Sequence, residues 1–181
     1  MKAIAAVVFG ILFVGCVHSH GGDEDKIGRD LTIGKSLKSN RYANLYFSGQ
    51  PQPGDFPDLK EQGFSTVINL RAGTEYDEGK EEVLVENLGM TYYNIPFSGG
   101  SELDDGFIEA VTQKIMKHRG EGKVLVHCSS GNRVGIYLGG HFYKDHKYSR
   151  EESVEVAKKL GLTNPGALRK LEKYLATTAS K

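Results

Sequence analysis

The sequence predicts an α/β fold in which a largely parallel central sheet is flanked by helices. Three observations predict it: helical segments alternate with short apolar strands, the helices end at glycines, and the last third of the chain has helical patterns alone. The chain has 181 residues, a length that suits one domain with its own hydrophobic core.

One pattern recurs from about residue 42: a helix, then a glycine, then an apolar strand. Glycine suits the position after a helix because it adopts the left-handed backbone at little cost. The pattern predicts helices over 55–62, 78–88 and 105–118, and strands over 66–70, 91–95 and 123–127.

The C-terminal third is predicted to be helical and to cover the sheet. A helix over 133–145 follows the last strand. Ser149 and Glu152 have the spacing of a capping box that opens a helix ending near Leu160. Pro165 stands where prolines favour the first turn of a helix, and it begins the last one.

The first 20 residues predict an export signal. Lys2 is followed by an apolar run over 3–14, which is too short for a spanning helix of about 20 residues. The run ends at Gly15 and Cys16 in a pattern that resembles a bacterial lipobox. We therefore predict an exported protein on the periplasmic side, held at the membrane by a lipid on Cys16. Ordinary secretory cleavage near Ser19, with loss of Cys16, is the alternative.

The polar segment 21–41 is predicted to be a tether, so that the globular domain occupies 42–181. The tether segment is rich in Gly, Asp, Lys and Ser and has few apolar residues. Over the whole chain 23 basic residues balance 23 acidic ones. This balance argues against nucleic acid as a partner, because nucleic-acid binding leaves an excess of Lys and Arg. No metal or other cofactor is predicted.

The segment from His127 to Arg133 carries the chemistry. An apolar strand ends at His127, a helix begins near Arg133, and the residues between them are Cys128, Ser129, Ser130, Gly131 and Asn132. In such a tight turn successive N–H groups point into one concave space, and the helix N-terminus adds its own. The backbone of 129–132 is thus a predicted cradle for phosphate or another tetrahedral oxyanion.

The same geometry favours a thiolate on Cys128. Free cysteine ionises near pH 8.5, and helix N-termini and nearby cations lower that value. Arg133 can reach back over the cradle and hold two oxygens with its planar fork. Nucleophile, cradle and clamp together suit attack on phosphorus. A buried, inert cysteine in an ordinary turn is the competing interpretation.

Three motifs carry a family resemblance. The loop is similar to the His-Cys-x-x-Gly-x-x-Arg signature of cysteine-dependent protein phosphatases, shortened by one residue. The segment 47–51, Phe-Ser-Gly-Gln-Pro, and the segment 63–71, which ends in Asn-Leu-Arg, resemble motifs of the bacterial protein tyrosine phosphatase-like family (DUF442), whose domain is also fused to β-lactamase-like hydrolases. The resemblance spans roughly 42–145 and implies a dual-specificity-phosphatase-like fold.

The resemblance also implies roles for single residues. Cys128 would be the nucleophile, Arg133 the phosphate clamp, and the 129–132 backbone the cradle. His127 would support the thiolate by bonding to nearby backbone, or would simply be a satisfied histidine at the end of a strand. Arg71 and Glu75 would pair with each other and brace the loop.

A general acid is harder to locate. The segment after the 91–95 strand, where this type of phosphatase usually has its Asp, is Pro-Phe-Ser-Gly-Gly. The nearest acids are Glu102, Asp104 and Asp105. We take Asp104 as the catalytic candidate, although capping of the next helix is the favoured role for Asp at such a position.

The predicted activity is therefore hydrolysis of a phosphomonoester through a thiophosphate on Cys128. A rhodanese-like sulfurtransferase and a non-catalytic oxyanion-binding module remain as alternatives. Phosphorylated small molecules, lipids and proteins are all open as substrates.

Overall fold

The computed structural model describes residues 26–75 and 78–178. A six-stranded sheet forms its centre. The strands in chain order are β1 (Ile27–Ile33), β2 (Leu37–Tyr42), β3 (Leu45–Ser48), β4 (Phe64–Asn69), β5 (Thr91–Asn94) and β6 (Lys123–His127).

The sheet is mixed, with a parallel part that contains the central strands. Its order is β1-β2-β3-β6-β4-β5. The pairs β3–β6, β6–β4 and β4–β5 are parallel, whereas β1–β2 and β2–β3 are antiparallel. The predicted α/β class is confirmed. Because β3, β4, β5 and β6 run the same way, their carboxyl ends meet at one edge of the sheet.

Six α-helices of the described residues flank the sheet, close to the bounds that the sequence predicts. They are α1 (Asp55–Glu61), α2 (Glu78–Asn87), α3 (Asp105–His118), α4 (Asn132–His146), α5 (Arg150–Lys159) and α6 (Pro165–Thr177). The predicted capping box at Ser149 is present, with both of its reciprocal hydrogen bonds. Among the residues that the structure describes, no helix is long and apolar enough to cross a membrane.

Each face of the sheet carries its own hydrophobic core, because side chains alternate along the strands. Leu125 points to the face covered by α1 and α2, where it joins Phe56, Leu59 and Val85. Its neighbours Val124 and Val126 point to the other face, where they pack under α3, α4, α5 and α6. The central strand β6 is buried on both sides, and its carboxyl end is therefore held firmly in place.

Helix α4 lies unusually close to the chain that joins α5 to α6. A Cβ on Gly135 would come within 2.7 Å of the Leu162 Cβ, so a larger residue could not occupy this position without displacing backbone. This close packing fixes the helix whose first turn carries Arg133.

The prediction of a polar tether over 21–41 is wrong for the part that the structure describes. Strands β1 and β2 form an antiparallel hairpin in the sheet, and the domain therefore begins before residue 42. The hairpin lies at the edge, and within its two strands only Ile33 and Ser39 are buried. An edge hairpin needs few apolar residues, which explains its tether-like composition. The predicted export signal over 1–20, including Cys16, lies outside the described residues.

Candidate active site

The loop after β6 curves so that its backbone approaches the sulfur of Cys128. Gly131 is the N-cap of α4 and has φ 85°, a left-handed conformation that L side chains rarely adopt. This turn directs the Gly131 N–H to the Cys128 Sγ at 3.1 Å. The thiol itself is fully buried. The sulfur thus accepts a backbone amide of the loop that the sequence predicts as a cradle.

Arg133 extends from the first turn of α4 across the loop. Its Nη2 donates to Ser129 Oγ at 3.0 Å, and its Nη1 donates to the carbonyl oxygens of Leu70 and Phe97, both at 3.2 Å. The hydrogen bond with Glu75 raises the pKa of Arg133, and the nearby charge of Cys128 contributes in the same direction. The guanidinium is thus held near the sulfur by contacts with three separate segments.

Glu75 is the acidic partner of Arg133. Its two carboxylate oxygens accept from Nη1 and Nη2 at 2.7 and 2.5 Å, which is a two-pronged contact. The hydrogen bond from Arg133 lowers the pKa of Glu75 to about 2. A carboxyl group this acidic stays ionised near neutral pH, so Glu75 holds Arg133 as an ion pair and does not donate protons.

Arg71 and Glu75 contact each other, as the resemblance implies, through the main chain of Glu75. Arg71 donates to the main-chain carbonyl of Glu75 at 2.6 Å and to the side-chain oxygen of Gln50. The carboxylate turns instead to Arg133, 58 residues along the chain. Arg71 and Glu75 thus lie together, and the Glu75 carboxylate has a further partner in Arg133.

Glu75→Gln should lower the free energy of unfolding at pH 7 by about 1–2 kcal/mol, after allowance for partial solvent exposure. Because its pKa is depressed in the folded state, this carboxylate stabilises the protein above its ordinary pKa of 4.5, and the effect fades as the pH falls toward 2. Urea unfolding at pH 7 and pH 3 measures it. The gap between wild type and variant should shrink at pH 3, whereas the exposed Glu86→Gln control should show no such gap.

Asn132 and Ser130 hold the loop to its surroundings with their side chains. Asn132 Oδ1 accepts from the backbone N–H groups of Thr163 and Asn164 at 2.8 and 2.7 Å. Asn132 Nδ2 donates to Ser130 Oγ at 3.2 Å. The Asn132 side chain thus links the loop to the start of α6.

The Ser-Gly-Gln-Pro segment supports the loop from the β3 side. Gln50 N–H donates to the carbonyl of Ser129 at 3.2 Å, and Gly49 pairs with Ser130 as an isolated bridge. A Cβ on Gly49 would lie only 3.1 Å from the Ser129 carbonyl oxygen. The motif that carries the family resemblance is thus in backbone contact with the loop.

His127 faces away from the loop, toward a residue that the sequence analysis did not identify. Its Nε2 lies 3.1 Å from Oε1 of Glu81, and both side chains are buried. The predicted bond of His127 to nearby backbone is not what the structure has. Glu81 belongs to the strongly polar segment Glu-Gly-Lys-Glu-Glu at the start of α2, a pattern typical of a solvent-exposed helix face.

The acids after β5 serve structural roles. Asp104 is the N-cap of α3, where its carboxylate accepts from the Phe107 N–H at 2.8 Å. Asp105 accepts from the Tyr174 hydroxyl at 2.6 Å, and Glu102 pairs with Lys173 at 3.1 Å. Capping is thus the role that the structure gives Asp104, and its participation in catalysis stays a prediction. Within 26–75 and 78–178 no cluster of His, Cys, Asp and Glu is arranged to hold a metal ion.

A curated relative matches most of the chain. A beta-lactamase hydrolase-like protein of Agrobacterium fabrum is 33% identical over 147 residues. The match covers 78% of this chain but 33% of that protein, so the chain spans about a third of the relative's length. No family model matches the sequence.

Solved structures share the fold. TpbA of P. aeruginosa in complex with pTyr has a TM-score of 0.64 at 17% identity, covering 83% of this chain and 92% of its own. A DUF442 protein of Shewanella putrefaciens has a TM-score of 0.57 at 22% identity, covering 82% and 89%. At these identities the likeness shows the fold, which is that of the cysteine-based phosphatases.

Proposed function

We propose that the protein is a cysteine-dependent phosphatase that hydrolyses a phosphomonoester through a thiophosphate on Cys128. One observation carries the proposal: a single six-residue loop brings together a sulfur that accepts an amide N–H and a guanidinium fixed by Glu75. These are the nucleophile, the oxyanion cradle and the clamp that phosphoryl transfer requires. The fold shared with cysteine-based phosphatases supports it.

The proposed reaction has two steps. In the first, the thiolate of Cys128 attacks phosphorus, the sulfur–phosphorus bond forms, and the bond from phosphorus to the leaving oxygen breaks. That oxygen keeps the electron pair and takes a proton from solvent water. In the second, water attacks phosphorus, the sulfur–phosphorus bond breaks, and the electron pair returns to sulfur. The products are inorganic phosphate, the alcohol or phenol, and the regenerated thiolate. In both steps the amides of the loop and Arg133 hold the phosphoryl oxygens.

Aryl phosphates should turn over at least about a hundredfold faster than alkyl phosphates, because a positioned general acid typically contributes 10²–10⁴ and the acids after β5 are engaged elsewhere. A phenolate leaves without prior protonation, whereas an alkoxide needs a proton. The measurement is kcat/KM for an aryl and an alkyl phosphate at pH 6–7. Equal rates for the two would mean that an acid, such as Asp104 after movement of its loop, does reach the leaving oxygen.

The activity itself is tested by two assays on the same purified protein. One follows phosphate release from an aryl phosphate, and the other follows thiocyanate formation from thiosulfate and cyanide. Phosphate release supports the proposal. Thiocyanate formation would instead indicate a rhodanese-like sulfurtransferase. If the protein binds phosphate or tungstate but has neither activity, it would be an oxyanion-binding module.

The proposal defines the substrate as a phosphomonoester and leaves its class to experiment. The TpbA structure holds pTyr, which supports a phosphorylated substrate for this chain too. Phosphorylated proteins, small molecules and lipids all present the same phosphomonoester to the loop. A panel containing phosphotyrosine peptide, small sugar phosphates and lipid phosphates would separate these classes by kcat/KM.

A further inference from the structure

A cavity of about 260 Å³ opens at the amino edge of the sheet, at the end opposite the loop that carries Cys128. Most of it is formed by three elements: the turn between β2 and β3, the second half of α3, and the later turns of α4. Helix α4 rises about 1.5 Å per residue, so its end at His146 lies about 20 Å along the helix from Arg133. The cavity is therefore separate from the candidate active site.

The walls of the cavity are fixed to one another by hydrogen bonds. In the β2–β3 turn, Asn44 Nδ2 donates to the carbonyl oxygens of Arg119 and Gly122 at 3.0 and 3.2 Å, which ties the turn to the end of α3. The hydroxyl oxygens of Thr112 on α3 and Tyr137 on α4 lie 3.1 Å apart. The cavity is thus formed before any ligand enters, so little ordering of the protein would oppose binding.

Aromatic and imidazole rings make up much of the lining: Tyr42, Tyr137, His141, Phe142 and His146. Tyr42 meets Phe142 edge to face with ring centroids 5.0 Å apart, and Tyr137 stacks on His141 at 5.6 Å. A ligand ring can pack edge to face or offset against such a wall. Because a cavity of about 150 Å³ is enough for benzene, the volume of 260 Å³ suits a ligand with one or two rings.

The fully charged side chains of the lining are basic. They are Lys26 and Arg119, and none of the described residues that line the cavity is acidic. In the described part of the chain Arg119 has no acidic partner, and its guanidinium contacts the Met116 sulfur at 3.8 Å. The nearby Asp145 carboxylate is bound to His141 Nδ1 at 2.7 Å. Burial lowers the pKa of His141, so that ring is mainly neutral at pH 7. The charge of the lining is therefore complementary to an anion.

Met116 adds an exposed apolar group to the rim of the cavity. Its side chain is 54% exposed, and in the described part of the chain Val83 is the other large apolar residue with such exposure. A methionine side chain is flexible, and its sulfur makes favourable contacts with aromatic rings. The rim thus offers an adaptable apolar contact next to the guanidinium of Arg119.

We propose that this cavity is a binding site for a small aromatic anion. One or two rings of the ligand occupy the aromatic lining, and its carboxylate, or a similar anionic group, pairs with Arg119 and Lys26 at the rim. The site is additional to the loop that carries Cys128, and the inference does not depend on the proposed phosphatase activity.

Methionine-methyl NMR of the full-length protein tests this inference with 2-naphthoate as the probe. The sequence has three methionines. Met116 lies at the rim, whereas Met90 is buried in the core under α1 and α2 and is the internal control. We expect a saturable shift of the Met116 signal with a Kd of about 0.1–1 mM, a typical affinity for a ligand of about 13 non-hydrogen atoms. The Met90 signal should not move, and Met116→Leu assigns the two signals.

A charge variant and two matched ligands separate the contributions. Arg119→Gln should weaken naphthoate binding about fivefold at low salt. Lys117→Gln is the matched control, because it removes the same charge near the same end of α3, where Lys117 contacts Tyr93 instead. The neutral 2-naphthamide and the non-aromatic cyclohexanecarboxylate should each bind at least about tenfold more weakly than 2-naphthoate.

Three results would overturn the inference. The first is the absence of a saturable Met116 shift, and the second is equal affinity for 2-naphthoate and its neutral amide. The third is displacement of naphthoate by tungstate, because competition would place the ligand in the loop that carries Cys128. The readout requires no turnover, so absence of phosphatase activity would count against the proposed function alone.

Discussion

Cys128→Ser is expected to abolish phosphate release, with a loss of about 10⁴–10⁶-fold in kcat, while oxyanion binding stays within a few-fold of wild type. A serine hydroxyl is not ionised at neutral pH, and nothing in the loop resembles a general base for it. The rest of the site is unchanged, because Arg133 keeps Glu75 and the turn at Gly131 keeps its left-handed backbone. Oxygen can also accept the Gly131 N–H in place of sulfur.

Two measurements check this prediction together. The first is the steady-state rate with an aryl phosphate, and the second is calorimetric titration with tungstate or inorganic phosphate. Inactivity with retained binding is the expected combination. A variant that keeps more than a tenth of the wild-type rate would show that Cys128 is not the nucleophile. Loss of binding together with activity, in a folded protein, would show instead that the sulfur itself shapes the cradle.

Arg133→Lys should lower kcat/KM about a thousandfold, although the charge is kept. The guanidinium makes five contacts through its two terminal nitrogens: Glu75 twice, Ser129, and the Leu70 and Phe97 carbonyls. An ammonium group is a compact point charge and cannot bridge these groups or hold two phosphoryl oxygens side by side. The loss should be larger in kcat than in KM, because the fork stabilises charge that spreads over the oxygens in the transition state.

Arg150→Lys is the matched control, since Arg150 lies exposed at the start of α5. It should leave both kinetic constants unchanged. Circular dichroism and urea unfolding at pH 7 would establish that Arg133→Lys is folded. Wild-type kcat/KM in that variant would mean that positive charge alone is sufficient and that the planar geometry has no catalytic role.

The strongly patterned elements could be predicted from the sequence. Strand β6 contains Val124, Leu125 and Val126, which are fully buried on alternate faces, and so it has a continuous apolar run. Glycines with positive φ follow α1 and α2, at Gly63 and Gly89. In these segments the local preference and the tertiary environment agree, and the predicted bounds are close to those observed.

The N-terminal hairpin could not be predicted in this way. Strand β1 has an irregular register between Gly28 and Leu31, and Asp30 has a positive φ of 54°. This irregularity interrupts the alternation of apolar and polar residues that identifies a strand. Pairing with the rest of the sheet, and not local preference, makes this segment a strand.

In the candidate site, too, some residues could be predicted from the local sequence and others could not. Cys128, Gly131 and Arg133 lie within six residues, and a single turn and helix start determine their geometry. The partners of the acids depend on packing between distant segments. Arg133 was not predicted as the partner of the Glu75 carboxylate, and Glu81 is buried within a helix start that is polar in composition. Sequence periodicity carries no information about which of several carboxylates meets which cation.

The edge hairpin also has a consequence for solubility. Strand β3 pairs with β2 on one side and with β6 on the other. A shortened protein that began at Tyr42 would leave one side of Leu45–Ser48 with unpaired N–H and C=O groups, next to the loop-bearing strand. Such an open edge is a template for pairing with a second chain. The irregular strand β1 forms the edge in the intact domain, and we expect a recombinant form that lacks 27–41 to aggregate more readily.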